Sequence, residues 1–378
     1  MKIVFTGGGT GGHFFPLIAV AEEIRILIEE RKLLQIKLYY LSDSPYDKRA
    51  LFENNIEYVH VPAGKSRLYG GVANFIDMFK IIPSCIIAVI KLFFIYPDVV
   101  FSKGGYASFP TLFAARVLRI PVVIHESDTV PGRVTLWSSK FAKKIAIAHP
   151  RASSYFPPEK TACVGIPIRR GIREKGNNNV HEYFKFNSAV KTVLVLGGSS
   201  GAEYINDVIV DGLPIFLKDY QLIHQVGEKN YEVVKNTVDV VVVNKTLLSN
   251  YALFGLMNPV EMKMAAGAAD IVITRAGSTS LAEISLWGVP AIVIPIPETI
   301  SRDQKSNAYE FAHTGAGIVI EQANLNVTIL KTQIDLILGD TERYKEMSQC
   351  ALANANPNAG KIIAEELIRI TLEHQKEG

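Results

Sequence analysis

The 378-residue chain has only three cysteines, Cys85, Cys163 and Cys350. They form no C-x-x-C pair, so neither a disulfide framework nor a zinc site is indicated, and a reducing compartment fits. No D-x-D triplet occurs, which removes a common carboxylate pattern for chelating a divalent metal. No apolar run reaches the ~20 uninterrupted residues that a spanning helix needs; the most apolar stretch, IIPSCIIAVIKLFFIYP at 81–97, is broken by Pro83 and Lys91. The chain starts directly on a strand-like segment, with no basic region, apolar core and small-residue cleavage site, so a secretory leader is not expected. Excess charge is also scarce: the formal net charge is +3, too mild to make nucleic acid the default partner.

Apolar residues are plentiful, at 48% of the chain, enough for two domains with separate cores. Strand-like runs alternate with helical stretches: KIVFT, IKLYYL, YVHVP, DVVFS, PVVIH, KIAIA and TACVG, then TVLVLG, QLIHQ, VVVV, DIVITR and PAIVIP. Such alternation implies α/β architecture with parallel sheets covered by helices on both faces. The polar segment REKGNNNVHEYFKFN (173–187) reads as a surface insertion just after a domain change expected between Gly165 and Gly171. The segment 358–374 reads as an amphipathic helix that packs back onto the first domain.

Five glycines crowd into residues 7–12, between a buried strand and a helix. Unpaired backbone N–H groups and a helix dipole then point at one spot, which suits an anion and above all a phosphate. Gly7, Gly9 and Gly12 also satisfy a dinucleotide fingerprint, with Asp43 ending the next strand as its acid. The two halves echo each other: IVFTGGGTGGH answers VLVLGGSSGAE, and VVFSKGGYAS answers IVITRAGSTS. Two similar α/β domains suit a two-substrate enzyme, since ligands bind outside the carboxyl ends of parallel strands.

The ordered set GGGTGGH with Pro16, KGGYAS, HESDTVPG, GIPIR, GGSSGA, RAGSTSLAEI and SRDQKSNA closely resembles the MurG family over essentially the whole chain. Those enzymes are peripheral membrane N-acetylglucosaminyltransferases acting on the undecaprenyl-pyrophosphoryl-muramyl-pentapeptide precursor of peptidoglycan. The resemblance implies a GT-B fold, two Rossmann-like domains with parallel sheets facing across a cleft. Residues 1–166 would bind the acceptor and the membrane, with 357–378 packed back on them, and 167–356 would bind UDP-GlcNAc. It implies donor contacts from Thr10, Gly11, Gly12, Arg169, Gly197, Gly198, Ser199, Ser200, Met257 with Leu256, Arg275, Glu283, Gln304 and Asn307. Acceptor contacts fall to Gly11, Gly12, His13, Gly104, Gly105, Tyr106 and Asp128, which leaves Asp43 as a solvated strand-end residue. Asp303 and Ile166 stand where the family pattern differs.

Inverting transfer needs a base for the attacking hydroxyl. His13, heading a helix, suits that task; Glu126 is the rival, while His125 reads as a hydrogen-bonded strand-end residue. The resemblance implies no cofactor and no metal, with helix dipoles, hydroxyls and Arg169 or Arg275 stabilising the diphosphate. Phe75, Ile76, Phe79 and Lys80 read as a membrane-docking surface for an anionic bilayer, and Ile86 to Ile90 as ordinary core contacts. The implied partners are UDP-GlcNAc, undecaprenyl-linked lipid I, the cytoplasmic face of the plasma membrane, and cell-wall synthesis and division proteins. Three other readings stay open: a different nucleotide sugar or lipid acceptor, a nicotinamide-dependent oxidoreductase, and a catalytically silent nucleotide-sugar sensor.

Overall fold

The computed structural model describes residues 1–64, 72–177, 179–198, 201–298 and 302–377, with 72–80, 302–303 and 375–377 described as backbone only. Ser199 and Ser200, and the side chains of Phe75, Ile76, Phe79, Lys80 and Asp303, therefore lie outside the described residues. The chain divides into two compact units, Met1–Arg169 with Asn356–Gly378, and Arg170–Ala355.

Unit one is built on β1 (Lys2–Thr6), β2 (Lys37–Ser42), β3 (Ile56–His60), β4 (Val99–Ser102), β5 (Val122–Glu126), β6 (Lys144–Ile147) and β7 (Thr161–Cys163). Unit two is built on β8 (Thr192–Leu196), β9 (Gln221–Gln225), β10 (Tyr251–Phe254), β11 (Ile271–Thr274), β12 (Ala291–Val293) and β13 (Gly317–Val319). The sheet orders are β3-β2-β1-β4-β5-β6-β7 and β10-β9-β8-β11-β12-β13. All pairings are parallel, with Ile3 beside both Leu38 and Val99, and Val193 beside both Leu222 and Ile271. Helices on both faces explain why these strands read as continuous apolar runs. In each sheet the strand order reverses beside the first strand, between β1 and β4 and between β8 and β11. A crevice opens at the carboxyl ends of such a pair. The four echoing loops of the sequence occupy these two reversals.

The helix Gly11–Glu30 buries Phe14, Leu17, Ile18, Ala21 and Ile24 at helical spacing. They share a core with Ile3, Phe5 and Phe101 of the sheet and with Ile363, Leu367 and Ile370 of the C-terminal helix Ala359–Glu377. At the rim of that helix His374 Nδ1 lies 3.0 Å from Asp98, whose other oxygen accepts from Lys2 N at 2.7 Å. Unit two closes around Trp287, fully buried, whose Nε1 donates to Ile172 O at 2.8 Å.

Several sequence expectations need correction. VVVV at 240–243 is no strand: Val240 and Val241 end the helix Tyr231–Val241, where Val234 and Val238 face the core, and β10 follows instead. A core-facing stripe there outweighs the β-propensity of valine. The segment 173–187 is not merely a surface insertion, because Val180, Phe184 and Phe186 are buried in the core of unit two. Ile86 and Ile90 are not core residues either; they are 55% and 51% exposed and align with exposed Ile82, Phe93 and Phe94 on one face of the helix Val72–Ile95. Its opposite face buries Cys85, Ala88 and Leu92. Among the described residues no helix is long and apolar enough to cross a membrane.

Candidate active site

In unit one, β1 runs into the glycine loop, whose bareness has largely internal causes. A Cβ on Gly8 would stand 2.6 Å from Ser42 Oγ, one on Gly9 2.8 Å from Tyr106 Cε1, and one on Gly11 2.8 Å from the Tyr46 hydroxyl. Tyr106 is fixed in turn by donating its hydroxyl to Asp43 Oδ2 at 3.1 Å, while Ser42 donates to Oδ1 at 3.3 Å. Asp43 is therefore not the solvated strand-end residue expected. The same arrangement does not fit the dinucleotide reading, which needs Asp43 for ribose hydroxyls and an uncovered Gly9. Burial and the Asp43 carboxylate push the Tyr106 hydroxyl up to about 12.

The helix Gly11–Glu30 starts with no acidic residue in its first turn and no side-chain cap. Gly12, exposed, lies in that turn. Thr10, expected at the donor, has its hydroxyl 2.9 Å from His13 Nδ1. In the tautomer where Nδ1–H donates to Thr10, Nε2 is left as a proton acceptor. That edge faces Gly105, where a Cβ would lie 3.5 Å from Nε2 and 3.1 Å from Gly8 O. Gly104 and Gly105 have φ of +75° and +81°, so glycine is required there on backbone grounds too. Burial, aided by the Lys103 ammonium and opposed by Asp128, lowers His13 to about 4. The imidazole is neutral at neutral pH.

Behind this loop His125 is fully buried. Its Nε2–H donates to Gly165 O at 2.8 Å and its Nδ1 accepts from Lys103 Nζ at 2.7 Å, the strand-end role expected for it. Glu126, 5% exposed, has both oxygens engaged: Oε1 accepts from Asp128 N and Oε2 from Gly132 N, each at 3.1 Å. A carboxylate so committed holds a loop, and it does not suit the rival base role. Lys103 is invisible to the sequence, where a lysine before two glycines looks solvated; it is 2% exposed. Arg169 places its guanidinium 3.8 Å above the Phe15 ring, a cation–π contact with the first helix of unit one. Ile166 is buried.

In unit two, Gly197 N donates to Gln225 O at 2.9 Å, and Gly198 has φ +71° with nothing within 4 Å of the place a Cβ would take. Across the strand reversal, Gly277 also has nothing among the described residues within 4 Å of such a Cβ, yet its φ is −71°. Neither packing nor backbone strain demands glycine there. Nothing in the sequence singles it out beyond its place in RAGSTS. Gly277 opens the helix Ser278–Trp287, which has no side-chain cap and no acid in its first turn. Arg275 Nη1 donates to Ile294 O at 3.1 Å, and buried Asn307 Nδ2 donates to Ser278 Oγ at 2.9 Å. Gln304 Oε1 accepts from Ile296 N at 3.4 Å. Glu283 lies on the same helix as Ser278, nearly buried. Leu256 is exposed, whereas Met257 is buried and its N–H donates to Gln225 Oε1 at 3.0 Å, which commits a backbone group of the pair expected at the donor. Among the described residues no group of three or more His, Cys, Asp or Glu is placed to hold a metal ion.

Residues 3–147 match the N-terminal domain and residues 192–363 the C-terminal domain of glycosyltransferase family 28. The chain is 34% identical to the UDP-N-acetylglucosamine--N-acetylmuramyl-(pentapeptide) pyrophosphoryl-undecaprenol N-acetylglucosamine transferase of Thermodesulfovibrio yellowstonii, covering 98% of this chain and 99% of that one. It is 32% identical to the protein of the same name from Limosilactobacillus reuteri subsp. reuteri, with 100% of both chains covered. Among solved structures, MurG of Acinetobacter baumannii superposes with a TM-score of 0.70 at 24% identity, covering 97% of this chain and 99% of that one. A UDP co-structure of S. aureus MnaA gives 0.70 at 14% identity, covering 99% and 97%. These structural likenesses show the fold, GT-B with two Rossmann-like parallel sheets. The chain belongs to glycosyltransferase family 28 and, within it, to the MurG family of N-acetylglucosamine transferases.

Proposed function

We propose that this chain transfers N-acetylglucosamine from UDP-GlcNAc, with inversion, to the C4 hydroxyl of undecaprenyl-pyrophosphoryl-N-acetylmuramyl-pentapeptide, the last cytoplasmic step of peptidoglycan precursor synthesis. The observation that carries the reading is the full-length similarity to transferases of that name, which spans both units and every glycine loop. Unit two takes the donor. The uncovered backbone at Gly198 and Gly277, with Ser199 and Ser200, receives the diphosphate; Arg275 adds positive charge, and Glu283 accepts from the ribose hydroxyls. Gln304 and Asn307 flank the sugar, and Met257 lies by the uracil.

Unit one takes the acceptor. Gly11, Gly12, Gly104 and Gly105 line its pyrophosphate, with Tyr106 and Asp128 beside it. His13 Nε2 removes the C4 hydroxyl proton while the oxygen attacks the sugar C1, and the C1–O bond to UDP breaks on the opposite face. Charge on the departing UDP is met by helix N-termini and arginine. Glu126 serves by holding the loop that carries Asp128.

The exposed face Ile82, Ile86, Ile90, Phe93 and Phe94 supports peripheral attachment at the cytoplasmic face of the inner membrane, where the lipid-linked acceptor resides. Burying each such side chain contributes about 1.5–3 kcal/mol. The double change Ile86→Glu and Phe93→Glu is therefore expected to weaken sedimentation with phosphatidylglycerol vesicles at least roughly tenfold; unchanged sedimentation would exclude this face.

The direct test is transfer of labelled GlcNAc to a synthetic lipid-linked muramyl-pentapeptide pyrophosphate, with EDTA present and UDP-GalNAc and UDP-glucose as parallel donors. Turnover selective for UDP-GlcNAc and indifferent to EDTA is expected. Silence with all three donors despite saturable UDP binding would favour another acceptor or the sensor reading.

A further inference from the structure

Beneath the first glycine loop lies a buried charge whose part so far is only to help keep His13 neutral. Lys103, directly after β4, is 2% exposed, and lysine is seldom so buried unless paired. Its Nζ donates to His125 Nδ1, and His125 Nε2–H is committed to Gly165 O. The ring is therefore a neutral acceptor that leaves the ammonium charge where it is. The carboxylates facing that ammonium are Glu126, which ends β5, and Asp128 two residues later. His13 faces it from the first helix, and His149, after β6, faces His125. Glu126 in turn grips the loop 127–132 near both ends, one backbone N–H on each oxygen.

We propose that Lys103 is a positioning residue: its buried ammonium, anchored on His125 next to Glu126 in β5, favours the charged form of Glu126, which clamps the loop 127–132 and so positions Asp128. What the clamped loop offers a substrate rests on the transferase reading; the clamp itself does not. A carboxylate can accept a backbone N–H on each oxygen, whereas a protonated carboxyl turns one oxygen into a donor facing another donor. Burial, then the Asp128 charge, raises Glu126 to about 7, against the Asp128 N–H, then the Lys103 ammonium, then the Gly132 N–H. Burial also lowers Lys103 to about 8, against Glu126 and Asp128. The charged pair is thus lost on the acid side as Glu126 takes a proton and on the alkaline side as Lys103 releases one. Without the ammonium, Glu126 takes its proton at higher pH.

Residue-resolved amide hydrogen exchange on the full chain tests the clamp. In Lys103→Met the Asp128 and Gly132 amides are expected to exchange roughly tenfold faster in neutral buffer, with β1 and β4 amides unchanged and Lys103→Arg retaining protection. The limb of kcat/KM near pH 7 should move to higher pH in Lys103→Met and be absent in Glu126→Gln, which keeps only the His13 limb near pH 4. Unchanged protection, or lower turnover with the limb near pH 7 unmoved, overturns the proposal. If Lys103→Met does not fold, the unaltered protein decides. Protection of these two amides, corrected for intrinsic exchange, must fall between about pH 8 and about pH 6, and constant protection overturns the clamp. Amide exchange needs no substrate, so a failed transfer assay counts against the transferase reading alone.

Discussion

Replacing His13 with alanine is expected to lower kcat for sugar transfer roughly 10²–10⁴-fold, with UDP affinity unchanged. The expectation rests on three observations. The ring is neutral at working pH, because burial and Lys103 hold it near 4. Its Nδ1 lies 2.9 Å from the Thr10 hydroxyl, which can fix the tautomer that leaves Nε2 bare. Among the described residues no other group engages that Nε2, and the glycine at 105 leaves room beside it. Thr10→Val should then lower kcat by a smaller factor, roughly tenfold, by releasing the ring. Steady-state kinetics with saturating donor separate kcat from KM. A loss below roughly tenfold in His13→Ala would remove His13 as the base.

Gly277→Val is expected to raise the Kd for UDP roughly 100-fold, about 2.7 kcal/mol, while thermal stability changes little. Most glycines in such loops have a structural excuse, and Gly9 and Gly105 have both a positive φ and a neighbour in the way. Gly277 has neither, with φ −71° and nothing among the described residues within 4 Å. The added side chain meets only whatever approaches the helix N-terminus. A weaker N-cap costs at most about 1 kcal/mol. Gly198→Val is the contrasting case, because φ +71° makes it damage both stability and binding. Calorimetric titration with UDP alongside melting decides the matter; a Gly277→Val protein that binds UDP normally would show that this backbone is not approached by the donor.

Much of this is legible in the chain itself. Parallel strands covered on both faces must be continuous apolar runs, so most strands announce themselves, and glycine-rich βα turns mark the strand reversals. What escapes depends on tertiary neighbours. The three-residue β13 is too short to carry a period, and YALF is hidden by the stronger β-character of the nearby valines. Lys103 looks like any strand-end lysine until β5 brings His125 and Glu126 beside it. Asp43 looks solvated until Tyr106, 63 residues away, reaches it. Glycine bareness is ambiguous in principle: only the folded neighbours separate Gly8, which makes room for Ser42, from Gly277, which makes room for nothing among the described residues.

The helix Ala359–Glu377 has a consequence for biogenesis. Ile363, Leu367 and Ile370 fill the same core as Ile3 and Phe5, so residues 1–169 lack a wall of their interior until the whole of 170–355 and this helix have been translated. Residues 170–355 form one uninterrupted stretch and can close as soon as they emerge. Of the two domains, the one begun earlier is then completed later, and during elongation its apolar sheet face is the surface for chaperones to cover.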